Sequence, residues 1–296
     1  MENQSVNFNQ QMKAAITGAS GFIGGRLKQH LESAGWKVIS LSRQDLQEDD
    51  NILSSMIEGC DVLINLAGAP IIARHTDAYR KEIYESRVNT TLKLVSALII
   101  AHHPPKHFIS ASAVGIYSGK GTHTETSTDY ADDFMANVCS NWEQAAMQAS
   151  PCAVITITRL GIVLDEKQGA LPTMMIPFKL GVGGKIASGG QMFSWIHIDD
   201  LISAFMHVID AKKSGIYNFT SPGYLSNADF TKVLADALNR PSFFTVPEAA
   251  LKLLYGGGSK ALTSGQAVFP ERLLNEGFKF KYPVIENALK DILKEK

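Results

Sequence analysis

A doubly wound α/β fold with a mostly parallel sheet and a smaller C-terminal lobe is what this 296-residue sequence predicts. Three observations carry the prediction: alternating strand-like and helix-like segments up to about residue 165, a glycine-rich turn between the first strand and the first helix, and a loss of rhythm after residue 170. The strand candidates are KAAIT (13–17), KVISLS (37–42), DVLINLA (61–67), HFISAS (107–112) and AVITITRLGIVL (153–164). Runs this apolar and β-branched suit strands covered on both faces, as in a parallel sheet. Between them Ile23, Leu27 and Leu31 make one helical stripe, and Val88, Leu92, Val95 and Ile99 a second. Strand–helix alternation implies right-handed crossovers and helices on both faces of the sheet. The stretch GALPTMMIPFKLGVGGKIASGGQ (169–191) forms loops. SWIHI, a helix from Asp199, the strand GIYNFT and helices near 227–239 and 247–255 follow.

Composition narrows the function classes. With 28 Lys and Arg against 29 Asp and Glu, the formal charge of -1 argues against nucleic acid or a membrane surface as the main partner. No apolar run reaches the roughly 18 residues of a membrane span. The opening MENQSVNFNQQ lacks the basic and apolar regions of a signal peptide. Cys60, Cys139 and Cys152 lack the paired spacing of zinc or redox motifs, and the histidines show no metal-ligand spacing. No metal and a reducing, cytoplasmic location are the expectation.

The segment TGASGFIGGRL (17–27) places Gly18, Gly21 and Gly24 between a strand and a helix. Gly18 permits the tight turn, Gly21 the approach of a pyrophosphate, and Gly24 close helix–strand contact. The N–H groups around Ser20, Phe22 and Ile23 then face the phosphates at the helix start. This is the fingerprint of a Rossmann dinucleotide site. After the second strand comes SLSRQD, where NAD sites usually carry an acid. The Arg43 fork and the Ser42 hydroxyl suit a 2′-phosphate, which favours NADP, while Asp45 leaves NAD as the alternative. The chain divides into a polar tail (1–11), a nucleotide-binding domain (12–168, with strands returning near 195–220) and a mostly substrate-side lobe with a C-terminal helical segment (169–296).

The spacing G-x-x-G-x-x-G, NLAG (65–68), SRVNTTLKLVSA (86–97), SASAVGIY and SWIHIDDLISA (194–204) resemble an extended short-chain dehydrogenase/reductase. NLAGAPI, ESRVNTT, FKLGVGGKIASGGQMFSWIHIDDL and FPERLLNEGFKFKYP (269–283) resemble its atypical epimerase-like branch of NADP-dependent oxidoreductases. The resemblance spans nearly all of the chain past the first dozen residues. It implies that Leu66, Ala67 and Gly68 pass the adenosine side, that Glu82 and Arg87 sit nearby with Arg87 reaching a phosphate or ribose, and that Val163 meets the nicotinamide end. Lys179 and Lys185 stand available to an anionic or nucleotide-linked small substrate.

Ordinary members of that superfamily use Ser, Tyr and Lys as general acid–base machinery, worth about 10²–10⁴-fold. Ser112 fits the Ser position. The Tyr position falls near Asn137 or Val138 and the Lys position near Asn141 or Trp142, so the Y-x-x-x-K pair is missing. Tyr117 is the substitute proton donor, with Tyr130 a more distant one and Cys139 a candidate nucleophile. A Tyr acid without its Lys favours carbonyl reduction. Two readings stand: an NADP-dependent oxidoreductase or epimerase-like enzyme, and a non-catalytic NADP(H)-binding sensor.

Overall fold

In the computed structural model, which describes residues 11–294, six strands form one parallel sheet. They are β1 (Lys13–Thr17), β2 (Lys37–Leu41), β3 (Val62–Asn65), β4 (His107–Ala113), β5 (Val154–Leu160) and β6 (Gly215–Phe219), in the order β6-β5-β4-β3-β1-β2. Each coincides with an expected run, and the fold is the doubly wound one expected. The run 153–164 divides at Gly161. Its tail, Ile162–Leu164, leaves the main sheet to pair with Trp195–His197. A Cβ at Gly161 would stand 2.9 Å from the Ser194 carbonyl oxygen, so only glycine lets the two strands meet there.

Because successive side chains of a strand face opposite ways, each strand feeds two cores. On one face Ile16, Ile64 and Ile109 pack under Leu27 and Leu31 of α1 (Phe22–Ser33). On the other, Ala15, Leu63 and Phe108 meet Leu53 of α2 (Asp50–Ile57). Helix α3 (Asp77–Tyr84) runs through a π-helical turn, Glu85–Asn89, into α4 (Thr90–Ile100). Of the expected stripe Val88 and Val95 are buried and Leu92 and Ile99 exposed, and the buried face of α4 is completed by Thr91, Leu94, Ala97 and Leu98.

Helix α5 (Phe134–Met147) covers the sheet beside α4. Beyond it, α6 (Leu171–Lys179), α7 (Ile198–Asp210) and α8 (Asn227–Ala237) follow. The chain does revisit the first lobe, since Leu201 and Phe205 of α7 belong to the core over β1 and β3. A separate cluster of Leu171, Phe178, Trp195, Phe230, Ile285 and Leu289 holds the smaller lobe together. His197 caps α7, its Nδ1 accepting from the Asp199 N–H at 3.1 Å. Asp200 accepts from the backbone of Lys281 and Tyr282 at 2.7 and 2.8 Å, tying down the C-terminal segment. His197, Asp199 and Asp291 form a metal-sized cluster, yet Asp199 already faces Arg26 at 3.3 Å and Lys281 at 3.7 Å. Among the described residues no helix is long and apolar enough to cross a membrane.

Candidate active site

The sheet order places the switch point between β1 and β3, where crossovers depart in opposite directions and leave a crevice at the strands' C-terminal ends. Gly18 follows β1 at φ +70°, and a Cβ there would lie 2.8 Å from the Leu66 carbonyl oxygen after β3. A buried chain fixes that pairing: Thr17 Oγ1 donates to Asn65 Oδ1 at 2.7 Å, and Asn65 Nδ2 donates to Thr91 Oγ1 at 2.7 Å. Thr17 Oγ1 also accepts from the Leu66 and Ala67 N–H groups at 3.2 and 3.3 Å. Asn65 and Thr91 thus set the cleft wall, though neither was a sequence candidate.

Gly21 precedes α1 as its N-cap, with no side chain capping the helix and no acid in its first turn. The first N–H groups of a helix have no intrahelical acceptor, so this end is open to an anion. A Cβ at Gly21 would meet only the Gly18 carbonyl, at 3.2 Å, whereas at Gly24 it would collide with the Gly18 backbone. Gly18 and Gly24 thus leave no room for a side chain, while Gly21 nearly does. Gly21→Ala is expected to fold normally and to weaken cofactor binding, while Gly24→Ala is expected to lower thermal stability. Paired melting and calorimetric titration check this; equal stability loss in both would assign Gly21 to packing.

Two cavities, of about 510 Å³ and 680 Å³, meet at Gly18, Gly21, Leu66, Ala67 and Gly68. The second is lined by Ser20, Ser42, Arg43 and Glu82. Arg43 is exposed at its rim. The Asp45 carboxylate turns back to accept from the Ser42 N–H at 2.7 Å, and the Ser42 hydroxyl accepts from the Asp45 N–H at 3.2 Å. The Ser42 hydroxyl and then its backbone N–H lower the pKa of the Asp45 carboxyl, and Asp45 does not line the cavity. Arg87 lines the first cavity but is only 7% exposed. It donates to the carbonyls of Ala69 (2.9 Å) and Ile83 (3.2 Å) and packs beneath Gly68. Burial lowers its pKa, and it braces the loop that follows β3.

The first cavity also takes in Phe22, Ile23, Gly24 and Ser112. Val163 does not line it. Gly161 and Ile162 do, while Val163 sits in the core with Ile196 and Leu201, because strand alternation turns neighbouring side chains apart. Lys179 and Lys185 are absent from the lining too, since the 184–186 segment forms a short strand with Phe244–Val246.

Sheet register builds the catalytic-looking row. Ser112 of β4 pairs with Arg159 of β5, which pairs with Asn218 of β6, so the three side chains share one face. Glu143 of α5 comes down on that face. Ser112 Oγ donates to Glu143 Oε1 at 2.6 Å, and Arg159 grips both oxygens, Nε to Oε1 at 2.8 Å and Nη2 to Oε2 at 2.7 Å. Burial opposes the Arg159 charge, but the Glu143 carboxylate outweighs it and the net shift is upward. Of the expected Tyr and Lys positions, Asn137 and Asn141 are exposed, Val138 is buried and Trp142 lines the cleft, while Cys139, which also lines it, and Glu143 stand one turn apart on the Ser112 side. Burial, then Glu143, pushes the Cys139 thiol up to about 12, so it stays protonated and is no nucleophile.

Tyr117 does not line the cleft. It is fully buried, stacked on His123 at 4.9 Å, and Arg159 Nη1 donates to its hydroxyl at 2.7 Å. Its one proton goes to Asn218 Oδ1 (2.8 Å) or the Thr124 carbonyl (3.0 Å). Burial raises its pKa, with Arg159 partly offsetting the shift. Tyr130 also receives a bond from Arg159, at 3.2 Å. Both tyrosines support Arg159 and lie outside the cavity lining.

Comparison with known proteins agrees with this geometry. Residues 14–219 match the NAD dependent epimerase/dehydratase family, and residues 246–292 match a domain of unknown function, DUF1731. The chain is 35% identical over 306 residues to the chloroplastic epimerase family protein SDR39U1 homolog of Arabidopsis thaliana, covering 96% of this chain and 87% of that protein. The crystal structure of the human epimerase family protein SDR39U1 (isoform 2) with NADPH superposes with a TM-score of 0.88 at 33% identity, over 95% of this chain and 99% of that one. A nucleoside-diphosphate sugar epimerase from Corynebacterium glutamicum gives 0.78 at 33% identity, over 96% of this chain and 58% of that one. A glycine-cradled switch point and a Ser at the end of β4, together with these matches, place the chain in the NAD dependent epimerase/dehydratase family, as an atypical extended short-chain dehydrogenase/reductase.

Proposed function

We propose that this protein is an NADP(H)-dependent oxidoreductase whose proton relay is Ser112–Glu143 held by Arg159. The observation that carries the reading is the 2.6 Å bond from Ser112 at the cleft to a carboxylate clamped by a buried Arg. NADPH, when bound, supplies a hydride to a carbonyl carbon. The chain's own residues handle the proton. For alcohol oxidation, Ser112 Oγ takes the substrate hydroxyl proton as its own proton moves to Glu143; reduction runs the transfers backwards, with solvent resupplying the proton through Glu143. Tyr117, buried in the Arg159 network, no longer sets a preferred direction. A role in sensing alone leaves the Ser112–Glu143 pair at the cleft without a use.

Arg43, exposed beside Ser42, and Asp45, withdrawn from the cavity, support NADP over NAD. So does the NADPH in the human relative's structure. Three free cysteines support a reducing compartment such as the cytoplasm. Calorimetry on the purified protein is expected to show tighter binding of NADPH than of NADH, with Arg43→Ala erasing about tenfold or more of the preference. Equal affinities in the unmodified protein would sink the NADP assignment. Consumption of NADPH in the presence of carbonyl compounds tests the reaction itself.

A further inference from the structure

We infer that the substrate is a small, uncharged, apolar carbonyl compound and neither a nucleotide sugar nor a phosphorylated metabolite, an assignment that rests on the oxidoreductase reading above. Beyond Ser112 the substrate side of the 510 Å³ cavity is walled by Ile71, Met135, Met174, Ile186, Met192 and Leu262. Three methionines in one wall make an apolar surface that adjusts to shape.

Four polar side chains among these walls, Gln191, Ser194, Asn227 and Asp133, are bonded to the protein. Gln191 Nε2 donates to the Ile186 and Leu262 carbonyls, and Ser194 Oγ to the Gln266 carbonyl. Asn227 Oδ1 accepts from the Ile186 N–H, and Asp133 caps α5 through the Met135 and Ala136 N–H groups. A nucleoside diphosphate needs cations or free N–H donors for its pyrophosphate, and buried charges without partners are costly. The lining offers two cations. Arg87 is bound to two backbone carbonyls beneath the glycine loop, and Lys260 is exposed at the mouth. The N-terminus of α8 beside Asn227 is closed to an anion as well, capped by Ser226 with Asp229 in its first turn. Apolar walls around one hydroxyl–carboxylate relay fit a carbonyl carried on a hydrocarbon or aromatic frame.

The test is calorimetric binding to the NADP⁺-saturated protein, with cinnamaldehyde, 2-decanone and menadione set against UDP-glucose and dTDP-glucose. The apolar carbonyls are expected to bind at least tenfold more tightly than either sugar nucleotide. Met135→Asp, at an early helical position that favours an acid, is expected to lose at least tenfold in carbonyl affinity while keeping NADP⁺ affinity. Tighter binding of a sugar nucleotide, no binding of any apolar carbonyl, or carbonyl affinity indifferent to Met135→Asp overturns the inference. Carbonyl binding sensitive to Met135→Asp but without NADPH consumption upholds the ligand class and sinks the oxidoreductase reading.

Discussion

Ser112→Ala is expected to reduce NADPH-dependent turnover of a carbonyl substrate by about 10²–10⁴-fold, with NADPH affinity unchanged. The hydroxyl lines the cleft and donates to the Glu143 carboxylate at 2.6 Å, and alanine removes the proton path without opening the Glu143–Arg159 pair. Glu143→Gln is the complementary variant, because its amide oxygen can accept a hydrogen bond from Ser112 but cannot take up the proton. Its turnover is expected to fall with Ser112→Ala and not multiplicatively with it, as for two members of one relay. Steady-state kinetics on the single and double variants decides. Wild-type rates in Ser112→Ala would remove the relay and leave proton transfer to water.

Arg159→Met is expected to destabilise the fold by about 3–5 kcal/mol, the cost of leaving one partner of a buried ion pair uncompensated. Arg159 is 0% exposed and serves Glu143, Tyr117 and Tyr130 together, so its loss also strands their oxygens. Adding Glu143→Leu to Arg159→Met removes the orphaned carboxylate and should recover part of the loss. Tyr117→Phe is the informative control: stability should drop by about 1–3 kcal/mol as Asn218 and Arg159 lose a partner, while turnover per folded molecule stays near wild type. Urea unfolding measures the first two, and kinetics the third. A stability change below about 1 kcal/mol for Arg159→Met contradicts the clamp. A collapse of turnover in a well-folded Tyr117→Phe returns the proton to that tyrosine.

One signal for the clamp was present in the sequence. Arg159 stands in VITITRL, an otherwise apolar run read as a strand buried on both faces, and an Arg at such a position must be paired. The partner was harder to see. Glu143 on an amphipathic helix has the spacing of an ordinary solvated acid, and only the descent of α5 onto β4 and β5 turns it inward. Tyr117 illustrates the opposite error. Five residues past Ser112 is near in sequence, but a short 3-10 turn at Val114–Ile116 carries the ring under the sheet edge to Asn218, 101 residues away.

What the sequence by itself determined is what depends on local pattern. The continuous apolar, β-branched runs and the helical stripes specify the strands and most helices, and the glycine spacing between β1 and α1 specifies a turn that only glycine fits. What the tertiary structure alone decided is every contact that depends on phase between distant segments. The buried face of α4 runs through Thr91, Leu94, Val95 and Leu98, and α5 turns Glu143 toward Ser112. Parallel register then aligns Ser112, Arg159 and Asn218 across three strands. A one-residue slip in any of these moves a side chain to the other face of its strand or about 100° around its helix. The glycine turn was therefore legible from contiguous residues, and the Ser112–Glu143–Arg159 cluster, assembled from three separate segments, was not.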